Sequence, residues 1–316
     1  MPTIETIGVI GAGTMGHSIA LDFALHGFDV RLYDIAEEPL ARAAAHTADA
    51  LQLMVEEDFV AADQVEPILS RIRATTDLAA AVADRDYVIE AAPEQLAMKH
   101  ELLRRLDGFM RPTAILASNT SSLPLAAMAQ ALSPARRTRF IINHWFNPGH
   151  LIPLVEFSHF GETSDEVYAE VAALYRRIGK QTIDVLKDVA GLVANRIQVA
   201  LAREVFSLVE RGVASPEDID KAMKFGPAFR NATTGPVAVA DFGGLDIWSA
   251  ISDNILKDMD NSTKANPLLR AKAQEGNLGV KTGRGFFDYP PETIAETKRQ
   301  FLRRLIHQLK ASAFYV

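Results

Sequence analysis

Residues 6–16 read TIGVIGAGTMG, an apolar run that leads into glycines spaced as G-x-G-x-x-G. A short apolar segment that stops at a glycine is typical of a strand buried in a parallel sheet. Apolar residues then recur at helical spacing as far as Phe23, and Gly27 marks the end of that helix. A second apolar run, Asp29–Tyr33, ends in Asp34. Strand, glycine turn, helix and strand form one βαβ unit, so this stretch predicts a parallel sheet.

The three glycines of this fingerprint have separate tasks in a dinucleotide site. Gly11 permits a tight turn, Gly13 lets the backbone approach a pyrophosphate, and Gly16 allows the helix to pack closely on the sheet. The helix that begins at Thr14 and Met15 offers unpaired N–H groups to the phosphates. A glycine turn that binds no nucleotide would share these letters, and so would a flavin enzyme. The downstream motifs argue against both alternatives.

The residue that follows the second strand indicates which dinucleotide binds. Asp34 lies 18 residues after Gly16, where a carboxylate accepts hydrogen bonds from the adenosine ribose hydroxyls. The next residues, Ile35-Ala36-Glu37-Glu38, contain no arginine for a 2′-phosphate, and their acids would repel one. The sequence therefore predicts NAD rather than NADP.

The alternation of elements continues along the first half of the chain. Further strand candidates are Tyr87–Ala91, Ala114–Ala117, Phe140–Asn143 and Leu154–Phe157. Helical stretches such as 94–107 separate them, and 37–70 reads as two amphipathic helices. This alternation predicts a doubly wound α/β sheet, whereas the later sequence is helical, beginning with Ala194–Arg211. We expect an NAD-binding domain over 1–187 and an all-helical domain over 188–316.

Composition excludes several classes of protein. The 316 residues include no cysteine, which rules out disulfides, a thiolate nucleophile and cysteine-ligated metals, and no spacing of His, Asp and Glu suggests a metal site. A net charge of −7 disfavours nucleic acid as a partner. No run reaches the roughly 20 apolar residues of a membrane span, and no basic segment precedes the first apolar stretch. We expect a cytoplasmic protein with a small-molecule substrate and no membrane partner.

Polar residues stand at the ends of three predicted strands. They occupy Glu90–Glu94 with Lys99, Ser118–Ser122 and His144–Pro148. Ligands of open α/β sheets bind outside the carboxyl ends of the strands, so these segments should converge on the nicotinamide. Glu156 follows His144 by 12 residues, and a pair of strands would bring the two side chains together.

At these residues the sequence resembles the L-3-hydroxyacyl-CoA dehydrogenase family. The resemblance runs from the glycine fingerprint to Lys281–Tyr289, and its most specific parts are E-A-x-P-E, S-N-T-S-S, H-x-F-N-P and L-V-E. It implies a Rossmann-type N-terminal domain and a helical C-terminal domain for substrate binding and dimerisation. It also implies NAD-dependent oxidation of an L-3-hydroxyacyl-CoA, such as 3-hydroxybutyryl-CoA, to the 3-ketoacyl-CoA by a C2 homodimer.

The resemblance assigns roles to individual residues. His144 becomes the general base, Glu156 its partner, and Ser121 a group that assists at the substrate hydroxyl. Asn195, in the segment that opens the helical domain, joins the catalytic set. The predicted nucleotide contacts are Glu94, Lys99, Asn119 and Asn147, besides Gly11, Gly13, Thr14, Met15, Gly16 and Asp34.

The chemistry of alcohol oxidation needs these residue types. Hydride leaves the carbinol carbon only as the hydroxyl proton is removed, and imidazole, with a pKa of about 6.5, accepts and returns that proton near neutral pH. A carboxylate such as Glu156 would fix the ring tautomer and stabilise the imidazolium. Ser121 and Asn195 would donate hydrogen bonds to the reacting oxygen.

Structural explanations stay open for the same residues. His144 could cap a strand, and Ser121 could bond only to local backbone in a turn. Asn195 suits the N-cap of the helix that follows it, a role compatible with catalysis. A protein that keeps the fold as a non-catalytic NAD-binding structure is a further alternative.

Some residues depart from the acyl-CoA pattern. Pro153 before L-V-E is similar to the λ-crystallin and L-gulonate 3-dehydrogenase branch. Residues 35–70 hold eight acids against Arg42 alone, a poor partner for the 3′-phosphate of CoA. The alternative substrate is therefore a free hydroxy acid, L-gulonate-like or carnitine-like. Binding a quaternary ammonium would need aromatic side chains near the base, for which Trp145, Phe146 and Trp248 are available.

Overall fold

The computed structural model describes residues 4–315, which divide into two compact units. The first unit ends at Val193 and contains the sheet, and the second begins at Ala194 and is helical. The predicted division lay slightly earlier, between residues 187 and 188. The fold class predicted from the sequence, a Rossmann-type α/β unit followed by a helical one, is confirmed.

Eight strands form one sheet in the order β3-β2-β1-β4-β5-β6-β7-β8. The strands are β1 (Thr6–Ile10), β2 (Asp29–Tyr33), β3 (Ile72–Thr75), β4 (Tyr87–Glu90), β5 (Ile115–Ser118), β6 (Phe140–Trp145), β7 (Leu154–Ser158) and β8 (Gln181–Val185). Neighbouring strands are parallel except β6 and β7, which pair antiparallel. Strands β7 and β8 therefore begin at the edge of the sheet where β1, β4, β5 and β6 end.

Helices of the sheet unit connect these strands. They are α1 (Thr14–Leu25), α2 (Glu37–Glu56), α3 (Val65–Ser70), α4 (Leu78–Val82), α5 (Leu96–Phe109), α6 (Leu125–Ala129), α7 (Pro134–Arg137) and α8 (Asp165–Arg177), with a short 3-10 helix at Ala62–Gln64. Local sequence explains where several of these helices begin. Asp77 caps α4 by accepting the N–H of Ala79 and of Ala80, and Ser164 caps α8 by accepting the N–H of Val167.

An aromatic cluster joins α1 and α8 to the middle of the sheet. Phe23, Tyr87, Trp145 and Tyr175 are buried, and the Phe23 and Trp145 rings meet edge to face with centroids 5.6 Å apart. The polar atoms of this cluster are satisfied, since the Tyr87 hydroxyl donates to Asn143 Oδ1 at 2.7 Å and Trp145 Nε1 donates to the Tyr175 hydroxyl at 2.9 Å. The cluster fixes strand β6 against the first helix.

Two strands were absent from the predicted set. β3 is short and pairs with the edge of β2, and β8 is polar and mostly exposed. Neither has the continuous apolar run that identified the central strands. Region 37–70 forms helices, as predicted, with α2 much longer than α3.

The second unit consists of helices, and its longest connection, residues 275–290, contains two isolated antiparallel β-bridges. The helices are α9 (Ala194–Glu210), α10 (Pro216–Phe225), α11 (Pro227–Thr234), α12 (Pro236–Gly243), α13 (Leu245–Ile255), α14 (Pro267–Gln274) and α15 (Ile294–Ser312), with a 3-10 turn at Pro291–Thr293. Ser215 caps α10 by accepting the N–H of Asp218 at 3.1 Å. Among the described residues of this unit only Ser207, Asn266 and Ile306 are buried.

Within residues 4–315, no helix is both long enough and apolar enough to cross a bilayer.

Candidate active site

The candidate site lies at the edge of the sheet where β1, β4, β5 and β6 end. These strands are parallel, so the segments that follow them emerge side by side. The segments are the glycine turn after β1, Ala91–Gln95 after β4, Asn119–Pro124 after β5 and Phe146–Pro153 after β6. The polar segments that follow β4, β5 and β6 therefore lie at one edge of the sheet, within one unit.

The glycine turn has the shape that a dinucleotide requires. Gly11 has φ +105°, and a Cβ there would lie 2.9 Å from the carbonyl oxygen of Ala91. A Cβ on Gly16 would lie 1.6 Å from the Gly11 oxygen, so only glycine allows α1 to start so close to the strand. A Cβ on Gly13 would meet nothing within 4 Å, which leaves its backbone open to a ligand at the N-terminus of α1.

Asp34 is fixed beside this turn. Its Oδ2 accepts the N–H of Ala12 at 2.8 Å, and its Oδ1 accepts the N–H of Ile35 at 2.8 Å. Each carboxylate oxygen keeps a further lone pair for a hydroxyl donor. Thr14 is exposed and Met15 partly so. The residues present thus fit an adenosine ribose and a pyrophosphate.

His144 and Glu156 face each other across the β6–β7 hairpin. They are register partners in the antiparallel pair, and His144 Nδ1 lies 2.8 Å from Glu156 Oε2. The side chains are 7% and 0% exposed, so the pair is shielded from water. The second oxygen of Glu156, Oε1, accepts the N–H of Val193 at 2.9 Å. Because Nδ1 is engaged, Nε2 is the nitrogen left for proton transfer.

Glu94 organises the serine loop after β5. Its Oε1 accepts the backbone N–H of Ser121 at 2.9 Å and of Ser122 at 3.0 Å, and it also bonds the Thr120 hydroxyl. Burial alone would raise the pKa of Glu94, but these hydrogen bonds and the charge of Lys99 lower it to about 2. The carboxylate uses the backbone of Ser121 and leaves the serine hydroxyl available.

Lys99 lies beneath this loop. Its Nζ is 2.6 Å from Glu90 Oε1 and 3.3 Å from Glu94 Oε2, and the side chain is 1% exposed. Glu90, fully buried at the end of β4, also accepts the Ser118 hydroxyl at 2.7 Å. Glu94 and Lys99, both predicted nucleotide contacts, are therefore joined with Glu90 in one network that supports the loop.

The two asparagines predicted to contact the nucleotide lie on adjacent segments. Asn119 Oδ1 accepts the backbone N–H of Trp145 at 2.8 Å, which ties the end of β5 to the end of β6. Its amide N–H groups remain for a ligand. Asn147 is exposed in the loop after His144. Asn195 is the second residue of α9 in the helical unit, so its catalytic role stays a prediction.

Trp145, one of three aromatic residues named for a quaternary-ammonium pocket, is not available to line one. Its side chain is buried, its Nε1 is bonded to Tyr175, and the ammonium of Lys180 lies 4.7 Å from the ring centroid. The aromatic face is thus used by a cation of the protein itself.

No sequence pattern predicts the buried polar group that lies between α1 and the loop after His144. Lys180 lies 3.3 Å from Asp22, and His150 is buried beside them with an unpartnered Nδ1. Burial lowers the pKa of Lys180 and raises the pKa of Asp22, and each partner's charge opposes those shifts. Burial lowers the pKa of His150 to about 3. No motif in the sequence joins residues so far apart.

Within residues 4–315, no group of three or more His, Cys, Asp or Glu side chains is placed to hold a metal ion.

Comparison with known proteins identifies both parts of the chain. Residues 6–189 match the family model of the 3-hydroxyacyl-CoA dehydrogenase NAD-binding domain. Residues 191–289 match the model of the C-terminal domain of the same family. Together the two models span most of the sequence.

Individual relatives match over nearly their whole length. The probable 3-hydroxybutyryl-CoA dehydrogenase of Deinococcus radiodurans is 40% identical over 283 residues, which cover 89% of this chain and 99% of the relative. The 5-formyl-3-hydroxy-2-methylpyridine 4-carboxylate 5-dehydrogenase of Mesorhizobium japonicum is 34% identical over 303 residues, covering 96% of each. A crystal structure of an enzyme of the latter name, described as an NAD⁺-dependent dismutase, superposes with a TM-score of 0.89 at 33% identity, covering 98% of this chain and 99% of that one.

Proposed function

The chain belongs to the 3-hydroxyacyl-CoA dehydrogenase family, and on that premise we propose that it oxidises a 3-hydroxy group with His144 as general base. The family and its relatives give NAD as the cofactor and place the chain among oxidoreductases that act on CH–OH. The observation that carries the assignment of the base is the buried 2.8 Å contact between His144 Nδ1 and Glu156 Oε2.

His144 and Glu156 divide the proton chemistry between them. When bound, NAD accepts the hydride, so the protein's own task is to orient the alcohol and to remove its proton. Nε2 of His144 takes the hydroxyl proton, because Nδ1 is engaged by Glu156. Glu156 holds the ring orientation and stabilises the imidazolium that forms. In the reverse direction His144 returns the same proton to the carbonyl oxygen.

Ser121 and Asn195 are proposed as donors to the reacting oxygen. The backbone of Ser121 is held by Glu94, which supports a fixed position for its hydroxyl. For Asn195 the support is its place in the family's N-R segment at the start of α9. A donor at that oxygen favours the charge that develops as the proton leaves.

The cofactor contacts are proposed in two groups. Gly11, Gly13, Thr14, Met15 and Gly16 would hold the pyrophosphate at the start of α1, and Asp34 would hold the ribose. Asn119 and Asn147 would lie against the nicotinamide half, with Glu94 and Lys99 behind them. The acids after Asp34 support NAD over NADP.

We favour an L-3-hydroxyacyl-CoA such as 3-hydroxybutyryl-CoA as the substrate. Its support is the 40% identity with a relative named as a probable 3-hydroxybutyryl-CoA dehydrogenase. The serine loop and the Lys281–Tyr289 ending follow the acyl-CoA pattern, whereas Trp145 stands where acyl-CoA members usually have phenylalanine.

A free hydroxy acid is the second candidate, and a specific observation supports it. The segment from the start of α2 to α3 carries the exposed acids Glu37, Glu38, Asp49, Glu56, Asp58, Asp63 and Glu66. The exposed base of that stretch, Arg42, already pairs with Glu38. Such a segment repels the phosphates of CoA. The relative that acts on a pyridine carboxylate also matches 96% of the chain, against 89% for the hydroxybutyryl relative.

A substrate panel tests this proposal. NADH formation would be followed with L-3-hydroxybutyryl-CoA, free L-3-hydroxybutyrate, L-gulonate and 5-formyl-3-hydroxy-2-methylpyridine 4-carboxylate, each with NAD and with NADP. Turnover of the thioester supports the first candidate. Turnover of L-3-hydroxybutyrate or L-gulonate without turnover of the thioester selects the second candidate and leaves His144 as base. Turnover of the pyridine carboxylate alone, whose reacting group is a formyl group, contradicts oxidation of a 3-hydroxy group. A protein that binds NAD but turns over none of these compounds contradicts the proposal.

We further propose that the chain forms a homodimer through its helical unit. Phe225, Phe229, Val237 and Phe242, on α10 to α12, are 72–86% exposed. Exposed apolar surface on this scale marks an interaction site. A second copy of the chain presents the same surface, as a two-fold symmetric interface requires.

A further inference from the structure

We propose that Lys180 is a positioning residue that fastens the loop after His144 to the cofactor-binding helix α1. The inference rests on the proposed function, which assigns proton removal to His144 and NAD binding to the glycine turn of α1. Lys180 immediately precedes β8. Because β8 runs opposite to β1, β4, β5 and β6, its first residues lie at the edge of the sheet that carries the site.

The ammonium of Lys180 contacts three oxygen atoms. Nζ donates hydrogen bonds to the carbonyl oxygen of Gly149 at 2.7 Å and of Ile152 at 3.1 Å. It also forms an ion pair with Asp22 Oδ2 at 3.3 Å. The side chains of Lys180 and Asp22 are 5% and 4% exposed, so little water competes for the donors.

Both carbonyl acceptors belong to the loop of the catalytic hairpin. Gly149 and Ile152 lie between β6, which carries His144, and β7, which carries Glu156. Any displacement of this loop acts directly on the register that sets the His144–Glu156 contact. Lys180 is therefore connected to the base through the backbone, without touching it.

The charged partner of Lys180, Asp22, lies on α1. Asp22 and Ser18 are four residues apart on this helix and so share one face. Ser18 Oγ accepts the N–H of Gly149 at 3.1 Å, which gives the loop a second attachment to the helix. A Cβ on Gly149 would lie 2.9 Å from Ser18 Oγ, so the approach depends on glycine. The glycine fingerprint leads into the first turn of the same helix.

Stability alone does not account for a charged pair at this position. A buried ion pair gains little over apolar side chains of the same volume, because desolvation offsets the attraction. A compact cation, however, can hold two carbonyl groups and a carboxylate at fixed distances, which no apolar residue does. Since a misplacement of about 1 Å can slow a reaction about 100-fold, the contact is suited to alignment of His144 with the cofactor.

The test separates alignment from stability by removing the two charges together. Lys180→Met alone leaves Asp22 buried and unpaired, and we expect a lower unfolding temperature and slower turnover. In the double variant Lys180→Met with Asp22→Asn, we expect the unfolding temperature to recover while kcat stays ~10- to 100-fold below wild type. The Kd for NAD should change less than about threefold, since the fingerprint is intact. The deuterium isotope effect, measured with substrate labelled at the carbinol carbon, should rise.

Lys180→Arg provides a second variant in case the double variant does not fold. It keeps the positive charge, but its planar guanidinium cannot contact the three oxygen atoms in the same arrangement, so kcat should fall several-fold. The matched control is the exposed pair Asp218–Lys221 on α10, 3.9 Å apart, changed to Asn and Met. That control should leave kcat and the isotope effect unchanged.

The outcomes distinguish this inference from the function on which it rests. Wild-type kcat in the folded double variant or in Lys180→Arg overturns the role of Lys180, and so does a loss confined to the KM for NAD. His144→Ala is assayed in the same series. If that variant keeps its turnover, the proposed function itself fails, whatever the Lys180 variants do.

Discussion

The edge of the sheet and the surface of the helical unit differ in which kinds of side chain they bury and which they expose. At the sheet edge, charged groups such as Glu90, Lys99 and Glu156 are buried, and each has a partner. On the helical unit, large apolar side chains such as Phe229 and Phe242 are exposed. The first arrangement is complete within one chain, whereas the second leaves an apolar surface for a partner to cover.

The physical chemistry of burial explains why this difference matters. A buried polar group costs about 1–3 kcal/mol when it loses its partner, so a fully paired network is also a rigid one. An exposed apolar surface gains about 25 cal/mol for each Å² that a partner covers. Substitutions at the sheet edge should therefore alter chemistry, and substitutions on the helical surface should alter assembly.

The largest expected effect is that of Glu156→Gln on turnover. Glutamine can still accept the N–H of Val193, but it neither sets the tautomer of His144 nor stabilises its protonated form. We expect kcat to fall by ~10³- to 10⁴-fold, as for other histidine–carboxylate pairs. The measurement is steady-state NADH formation beside a titration of NAD binding.

A buried carboxylate outside the site serves as the control. Glu170 on α8 is 6% exposed and lies 3.6 Å from Arg139. Glu170→Gln should leave kcat within about twofold while lowering stability. An equal loss of kcat in both variants would mean that Glu156 acts only through the fold.

The next largest expected effect is that of Phe229→Glu, which should weaken dimer formation. A carboxylate inside an apolar interface is desolvated without a partner, so the dimer Kd should rise at least about 100-fold. Analytical ultracentrifugation over a range of concentrations measures this change. Phe59→Glu, at an exposed phenylalanine of the sheet unit, is the control and should leave the Kd unchanged. A wild-type protein that is monomeric at every concentration would contradict the dimer.

Much of the candidate site at the edge of the sheet could be predicted from the sequence. The glycine fingerprint, Asp34 and the spacing of His144 and Glu156 are local patterns, and each has a geometric meaning within one or two elements. The structure confirms the βαβ unit and brings His144 and Glu156 together across one hairpin. Predictions of this kind succeed because the side chains are placed by strands whose periodicity can be read directly.

Other features could not be predicted, for reasons that concern tertiary packing. No local pattern indicates that Lys99 pairs with Glu90 and Glu94 beneath the serine loop. Trp145 was considered for a ligand pocket, although it packs on Tyr175 and Lys180. No sequence pattern indicates the contact of Lys180 with Asp22, because the two residues lie far apart in the sequence. Side-chain direction and long-range pairing depend on which elements meet, and one sequence does not contain that information.

The effect of Asp34→Ala on the affinity for NAD should be intermediate in size. Asp34→Ala removes the proposed ribose acceptor and also frees the N–H of Ala12 in the glycine turn. Hydrogen bonds to a charged group contribute about 1.5–3 kcal/mol, so the Kd for NAD should rise ~10- to 100-fold. Isothermal titration measures the change directly. An unchanged affinity would refute the ribose assignment.

The smallest expected effect concerns acid stability. His150 is buried and neutral, with its pKa lowered to about 3, while an unfolded histidine takes up a proton near pH 6.5. Between those values the unfolded chain binds one more proton, so the stability that the neutral ring provides is lost as the pH falls. The slope should be about 1.4 kcal/mol per pH unit.

His150→Leu should remove this contribution. Chemical denaturation at several pH values between 6 and 4 compares the variant with wild type and with His307→Leu, where the histidine is exposed on α15. We expect a shallower loss of stability only in His150→Leu. Equal slopes in all three proteins would show that His150 does not remain neutral in the folded state.

The central claim is that His144 removes the substrate proton, and turnover by His144→Ala tests it most directly. The variant would be assayed with the best substrate of the panel at saturating NAD, with the Kd for NAD measured on the same preparation. We expect turnover to fall by ~10²- to 10⁴-fold while NAD binds with nearly wild-type affinity. Undiminished turnover in a folded, NAD-binding variant would contradict the account.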